Sequence, residues 1–317
     1  MLHTSTPKNR TVVRTKTAVR LTRAALQAAY LLSEDLGTSL AEHLFTSPRR
    51  HPRPHRERAI LASGWRFAVD VTLRRTHEQR RVTAWRWGHG PTVLLVHGWE
   101  GRGAQLGGFV EPLVRAGLSV VAFDAPGHGD SPGRRLYLTD MADCVIGLAR
   151  AVGPLHAIIA HSVGAAAALL ADQRGGVNAK RNVMISPSVV LADAVAQFGR
   201  AVALDDDDCT ALAHQVVSHS GVAGDALRIE QLVGQRDDAL LVIHDRDDRE
   251  VPFSHGELLT TTWRQAKLHP TTGLGHRRIL RDDDVIAQAV AFVQHGISPP
   301  TSPLVREVDR LLSNGDV

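Results

Sequence analysis

The chain is poor in cysteine: Cys144 and Cys209 are the only two in 317 residues, and neither belongs to a Cys-x-x-Cys pair. That excludes a disulfide framework and a thiolate zinc site as organising principles, and it makes a reducing cytoplasm the expected compartment. Long apolar runs are also missing. The most apolar stretch, Val163 to Ala171, falls well short of the ~18 residues a membrane-spanning helix needs, so no membrane span is expected. No secretory leader is legible: basic residues continue to Arg20 and Arg23, and the apolar segment behind them is broken by Gln27 and ends at Glu34-Asp35. Internal repeats are absent.

Charge is present but uneven. Residues 1–60 carry eleven Lys and Arg against four Asp and Glu, a net +7, whereas the whole chain is +4 and the remainder is therefore −3. A basic arm of this kind either binds phosphate-bearing partners or is a solvated leader. The leader is the reading adopted, and no nucleic-acid partner is expected. Residues 1–17, rich in Thr, Lys and Arg without an apolar period, read as disordered. From about Val19, Leu21, Ala25, Ala28, Leu32 and Leu36 recur at helical spacing, predicting one amphipathic helix interrupted near Gly37, with a face that needs a partner. A Pro- and Arg-rich connector from Thr46 to Pro54 follows.

Behind the connector the period changes. Phe67–Leu73 and Arg81–Trp87 alternate as strands, and Gly88-His89-Gly90-Pro91 reads as a turn. Short, continuously apolar runs then follow at Thr92–Val96, Ser119–Phe123, His156–Ala160, Asn182–Ile185 and Ala239–Ile243. Helix candidates lie near Ala104–Ala116, Thr139–Val152 and Val163–Gln173. Continuous apolar strands alternating with helices mean a parallel sheet covered on both faces. The expected fold is α/β, a doubly wound, mostly parallel sheet. Its expected divisions are an N-terminal extension (1–60), a catalytic body (61–296) containing a short helical lid at about 187–238, and a tail (297–317).

Nucleophilic serine chemistry needs an exposed hydroxyl, an imidazole, a carboxylate behind it and backbone N–H donors for a developing oxyanion. Ile158-Ile159-Ala160-His161-Ser162-Val163-Gly164 reads as a strand turning sharply into a helix at a serine. Ala160 and Gly164 are small where that turn brings strand and helix together. His97-Gly98-Trp99-Glu100-Gly101 ends an earlier strand, Asp124-Ala125-Pro126-Gly127-His128-Gly129-Asp130-Ser131 ends another, and His244-Asp245-Arg246-Asp247-Asp248-Arg249-Glu250-Val251-Pro252 ends a third. Gly273-Leu274-Gly275-His276 follows, before a final helix from about Asp283 to Gln294.

Taken together these segments resemble the α/β-hydrolase superfamily of esterase- and lipase-like serine hydrolases over roughly residues 66–296, and they occur in that fold's chain order. The resemblance implies Ser162 as nucleophile, His276 as base and Asp248, aligned by Val251-Pro252, as the acid. It also implies the backbone N–H groups of Trp99 and Val163 as the oxyanion hole, with no cofactor and no metal. Asp245 stands where the family has Gly, so three neighbouring aspartates compete. Asp247 is the runner-up, and the two not chosen are expected to remain in water. His97, His128 and Asp130 read as scaffold. The Asp205–Asp208 run is a metal site or a helix start, and the latter is adopted because aspartate favours helix N-termini. The implied activity is cleavage of a carboxylic ester, thioester or small amide of a small-molecule acyl substrate. An acyltransferase with the same triad and a binding protein on a hydrolase body are the alternatives.

Overall fold

The computed structural model describes residues 8–234, 236 and 238–296; the expected C-terminal tail lies outside them. In chain order the elements are α1 (Lys8–Leu32), α2 (Glu34–Phe45), α3 (His55–Ala62), β1 (Trp65–Thr72), β2 (Gln79–Trp87), β3 (Thr92–Val96), α4 (Val110–Arg115), β4 (Ser119–Asp124), α5 (Leu138–Val152), β5 (Leu155–His161), α6 (Val163–Gln173) and β6 (Arg181–Ile185). They continue with α7 (Leu191–Val202), α8 (Asp206–His219), α9 (Ile229–Val233), β7 (Ala239–Asp245), α10 (Ser254–Thr262), β8 (Ala266–Thr271), α11 (Gly275–Arg278) and α12 (Asp283–His295). The eight strands form one sheet in the order β1-β2-β4-β3-β5-β6-β7-β8. β1 and β2 are antiparallel, β2 meets β4 antiparallel, and every later pairing is parallel.

The central parallel strands β3–β7 are mainly apolar because both faces are covered. One face packs Leu94, Val121, Ile158 and Val242 against α5, α6 and α10, and the other packs Leu95, Val120, Ile159 and Ile243 against α4 and α12. The expected strands are all present. β8 has no counterpart in the sequence reading, since Pro270 interrupts its short run, a residue tolerated here because β8 is the sheet edge. Residues 104–116 form a 3₁₀ segment, Gly103–Phe109, followed by α4.

The N-terminal segment departs most from expectation. Three helices stand where one was expected, and α1 already begins at Lys8, inside the stretch read as disordered; residues 1–7 lie outside the described range. No Gly or Pro falls between Lys8 and Leu32 to stop the helix. The chain breaks at Ser33, whose extended backbone opens α2, and Glu34 and Asp35 sit in the first turn where the helix dipole favours them. Gly37 lies inside α2, packed so closely that a Cβ would come within 2.3 Å of the Tyr30 ring. That contact rotates α1. The buried side chains are Leu26 and Ala29, while the face expected to be covered stays open, with Leu21 66%, Leu32 78% and Leu36 49% exposed.

Leu26 and Ala41 pack with Val195, Val202, Leu212 and Val216, so α1 and α2 make a helical cluster with α7 and α8, the helices inserted between β6 and β7. The aspartate run is the start of α8: the Asp205 carboxylate accepts from Asp208 N–H at 2.8 Å. No helix among the described residues is long and apolar enough to cross a membrane.

Buried Glu42 ties α2 to the body. Its carboxylate accepts from Tyr137 Oη–H at 2.8 Å and Gln215 Nε2–H at 2.9 Å, and it pairs with His219 Nδ1 at 2.8 Å. Burial pushes its pKa up, but hydrogen bonds from Gln215, Tyr137 and His219 outweigh burial and hold it below the ordinary value. A lowered carboxylate contributes stability that is present above the unfolded pKa and lost as pH falls through the folded one. Glu42→Gln should therefore destabilise the protein by about 2 kcal/mol at neutral pH. Urea titrations should find that difference shrinking in acid.

Candidate active site

The segments read as functional all converge at the C-terminal end of the parallel strands, where an open α/β sheet places its ligands. β5 ends in His161, and Ser162 turns the chain into α6 with φ 56° and ψ −128°, a left-handed backbone a non-glycine residue adopts only under constraint. The constraint is visible in its bonds. Ser162 N–H donates to Ile185 O at 3.0 Å, and Ser162 O accepts from Ser188 N–H at 3.1 Å, so β6 and its following loop hold the turn. The requirement for small neighbours is equally concrete: a Cβ at Gly164 would sit 2.4 Å from His97 O, and one at Gly98 would sit 2.8 Å from Ser162 Cβ. The loop after β3 therefore lies against the serine. Val163 opens α6, and amides in a first helical turn have no partner within the helix.

Of the three competing aspartates, Asp248 meets the histidine. Its carboxylate is fully buried, and Oδ2 lies 2.7 Å from His276 Nδ1. Oδ1 accepts from the amides of Glu250 (2.8 Å) and Val251 (2.9 Å), so the Val-Pro landmark is part of the cradle. A second imidazole, His244, places Nε2 3.5 Å from Oδ2; the sequence reading gave it no role. Burial raises the Asp248 pKa, yet His244, His276 and the Val251 amide overcompensate and drive it far below the carboxylate range. With Asp248 charged, His276 carries its proton on Nδ1 and leaves Nε2 as acceptor. No hydrogen bond joins Ser162 Oγ to His276 among the described residues. The link between them is His161, whose Nε2–H donates to His276 O at 3.0 Å and whose ring lies 4.6 Å from the His276 ring. Burial, then the nearby His276, holds the His161 pKa well below the usual value, which keeps it neutral.

Asp247 is exposed, and its carboxylate accepts from Gly273 N–H at 2.9 Å. Asp245, expected in water, is instead fully buried. It accepts from Asp247 N–H (3.0 Å), Thr271 Oγ1–H (2.8 Å) and Leu274 N–H (3.0 Å), and so fastens the loop that carries His276 to the end of β7. Burial raises its pKa, but these bonds and one from the Gly275 amide lower it on balance. An Asp accepting from the amide two residues on is a recognisable local pattern; its burial is not, because that depends on β8, which the sequence hid.

The scaffold roles hold. His97 is completely buried, donates from Nδ1 to Gly98 O (2.7 Å) and accepts at Nε2 from Ala125 N–H (3.0 Å); burial pushes its pKa down to about 4. His128 accepts from Glu100 N–H at 3.1 Å and is held near 3, chiefly by burial and by the proximity of His97. Asp130 pairs with Arg53. A cleft of ≈ 650 Å³ opens beside His276, walled by residues 246–250 and by Gly273, Gly275 and Arg278. A cleft of ≈ 740 Å³ lined by Trp65, Trp87 and His89 lies at the opposite end of the sheet, before β3, away from this constellation. Among the described residues no cluster of His, Cys, Asp or Glu has metal-binding geometry.

Three substitutions test this construction. An amide at Asp245 must turn its NH₂ toward a buried donor, and each unmet buried donor costs ~1–3 kcal/mol. Asp245→Asn should therefore lower the urea midpoint markedly, whereas Asp247→Asn, which loses one exposed bond, should leave it nearly unchanged. Gly164→Ala should destabilise as well, although helix propensity alone favours alanine by about 1 kcal/mol.

The family described as serine aminopeptidase, S33, matches residues 89–252, just over half of the chain. The fold is similar to that of the Pyrococcus furiosus esterase Pf2001 (17% identity, 80% of this chain and 98% of that one, TM-score 0.60). It is also similar to the Butyrivibrio proteoclasticus protein Est1E with bound ferulic acid (17%, 72% and 96%, 0.57) and to a Bacillus anthracis bromoperoxidase (15%, 72% and 99%, 0.53). At such identities the likeness shows the fold alone. No curated protein matches the sequence.

Proposed function

The chain belongs to the serine aminopeptidase S33 family of α/β hydrolases, and from that premise we propose that it is a serine hydrolase that cleaves a carboxylic ester, with thioesters and small amides as related substrates. Ser162 Oγ attacks the acyl carbonyl while His276 Nε2 takes its proton. The carbonyl oxygen, now negative, is met by the N–H groups of Trp99 and Val163. Collapse expels the alcohol, which leaves with the proton from His276, and water repeats the sequence on the acyl-enzyme. Asp248 keeps the imidazole in the accepting tautomer and stays ionised throughout.

The observation that carries this reading is the buried Asp248–His276 contact of 2.7 Å, brought from two separate loops to the end of the sheet where Ser162 occupies a constrained turn. A structural ion pair would not need a strained serine beside it. The preference for esters over peptides rests on the esterases among proteins of like fold. The test is labelling with a fluorophosphonate, followed by turnover of aryl esters of increasing acyl length beside an aminoacyl anilide. Labelling lost in Ser162→Ala, with hydrolysis reduced by on the order of 10⁴-fold or more, is the expected result. Unchanged labelling of Ser162→Ala would overturn it.

Asp248→Asn should cost on the order of 10³- to 10⁴-fold in kcat, because the amide favours the wrong tautomer. The pH profile should fall in acid with a limb of unit slope. Asp248, held far below the carboxylate range, remains charged there and contributes no second proton to the loss. A limb of slope two would bring in a second group.

A further inference from the structure

The turn Gly98-Trp99-Glu100-Gly101, closed by Gly101 N–H to Gly98 O at 3.0 Å, contains a second strained residue: Glu100 has φ 53°. Glycine would take that backbone freely, but glutamate resists it. A side chain at this position is justified by what it reaches. Its carboxylate, only 16% exposed, receives Arg49 Nε–H at 2.7 Å, Arg49 Nη2–H at 3.1 Å and the Arg49 backbone N–H at 3.2 Å, with His51 Nε2 at 3.2 Å. Arginine and carboxylate thus meet in the two-pronged geometry that fixes direction as well as distance. The other flank of the turn is held the same way: Arg102, almost fully buried, pairs in two-pronged fashion with Glu57 on α3. Residues 49–57 therefore bracket the turn at Glu100 and at Arg102, and they lie outside the residues the family match covers.

We infer that this basic N-terminal strap is a positioning device for the oxyanion donor: Arg49 and His51, acting through Glu100, hold the Trp99 amide where the developing negative charge needs it. The inference rests on the proposed reading of the site. The side chains of Arg49 and His51 meet Glu100 and neither Ser162 nor His276 among the described residues, so this pair acts on the donor through the turn. Rotation of the peptide units within a four-residue turn changes where its N–H groups point with little other displacement, because alternative turn types differ chiefly in the orientation of the central peptide. An oxyanion donor contributes only when aimed at the charge that forms in the transition state. Loss of the strap should therefore lower turnover without weakening substrate binding.

The test uses the full chain with Arg49→Ala/His51→Ala, Glu100→Gln and their combination. Loss of a whole oxyanion donor costs about 10²- to 10³-fold in kcat; a loosened donor should cost about tenfold, with KM changed less than twofold. Glu100→Gln keeps the shape of the side chain and should lose a similar factor. The combination should lose no more than either alone, since both act through one contact. Affinity for an arylboronic acid, whose tetrahedral adduct places an oxygen at the same amides, should fall in parallel with kcat, a change a merely structural role would not produce. Losses that multiply, a rise confined to KM, or kcat and boronate affinity within twofold of the parent would each overturn the inference. Fluorophosphonate labelling of the parent protein decides separately whether Ser162 is the nucleophile, so failure of the strap and failure of the underlying reading give different results.

Discussion

The close approach of two loops governs the whole constellation. The backbone after β3 and the first turn of α6 come together with no room for a side chain at Gly98 or Gly164. Beside that approach Ser162 takes a left-handed turn at the end of β5. Strain of this kind persists only when the surroundings over-determine it. Here they do: Ser162 is bonded to β6 and to the loop behind it, and neutral His97, with both ring nitrogens committed to backbone, locks the opposing turn.

Around that contact the protein buries charge only where it can be answered. Asp248 is charged in a dry environment because two amides and two histidines face it, and Asp245 because three backbone N–H groups and a hydroxyl do. Breaking such a cradle is far more costly than forming it is profitable, so these carboxylates fix geometry more than they add stability. The two aspartates divide the labour. Asp245 fastens the loop from β8 to α11 in place, and Asp248 orients the imidazole that the loop delivers.

The parallel sheet was legible because buried strands have a one-dimensional signature, continuous apolar runs bounded by turns. Ser162 and Asp248 could be singled out because each follows such a run, and His276 because it follows a Gly-x-Gly turn, at spacings that resemble a known family; the structure brings Asp248 and His276 together. What could not be read was anything depending on where distant segments meet. Leu21 and Leu32 repeat at helical spacing, yet Leu26 and Ala29 are the ones buried, because the Tyr30–Gly37 contact sets the rotation of α1 and no periodicity encodes it. Asp245 reads like its neighbours in composition, and only its enclosure by the β8–α11 loop separates it from exposed Asp247.

The basic N-terminal segment carries the same lesson further. Counted along the sequence, Arg49, Arg50 and Arg53 add to a positive arm that invites a phosphate-bearing partner. In space they are occupied. Arg50 donates to the carbonyls of Gly127, Gly129, Ser131 and Gly133, and Arg53 answers buried Asp124 and exposed Asp130. Asp124 in turn accepts from Gly103 N–H at 2.9 Å, so the connector braces both loops beside the candidate oxyanion turn. Guanidinium groups engaged with carbonyls and carboxylates have those donors committed within the molecule. Part of this connector's donor capacity is thus used within the molecule, where planar, multiply donating arginine suits the gathering of backbone carbonyls from a loop that has no secondary structure of its own.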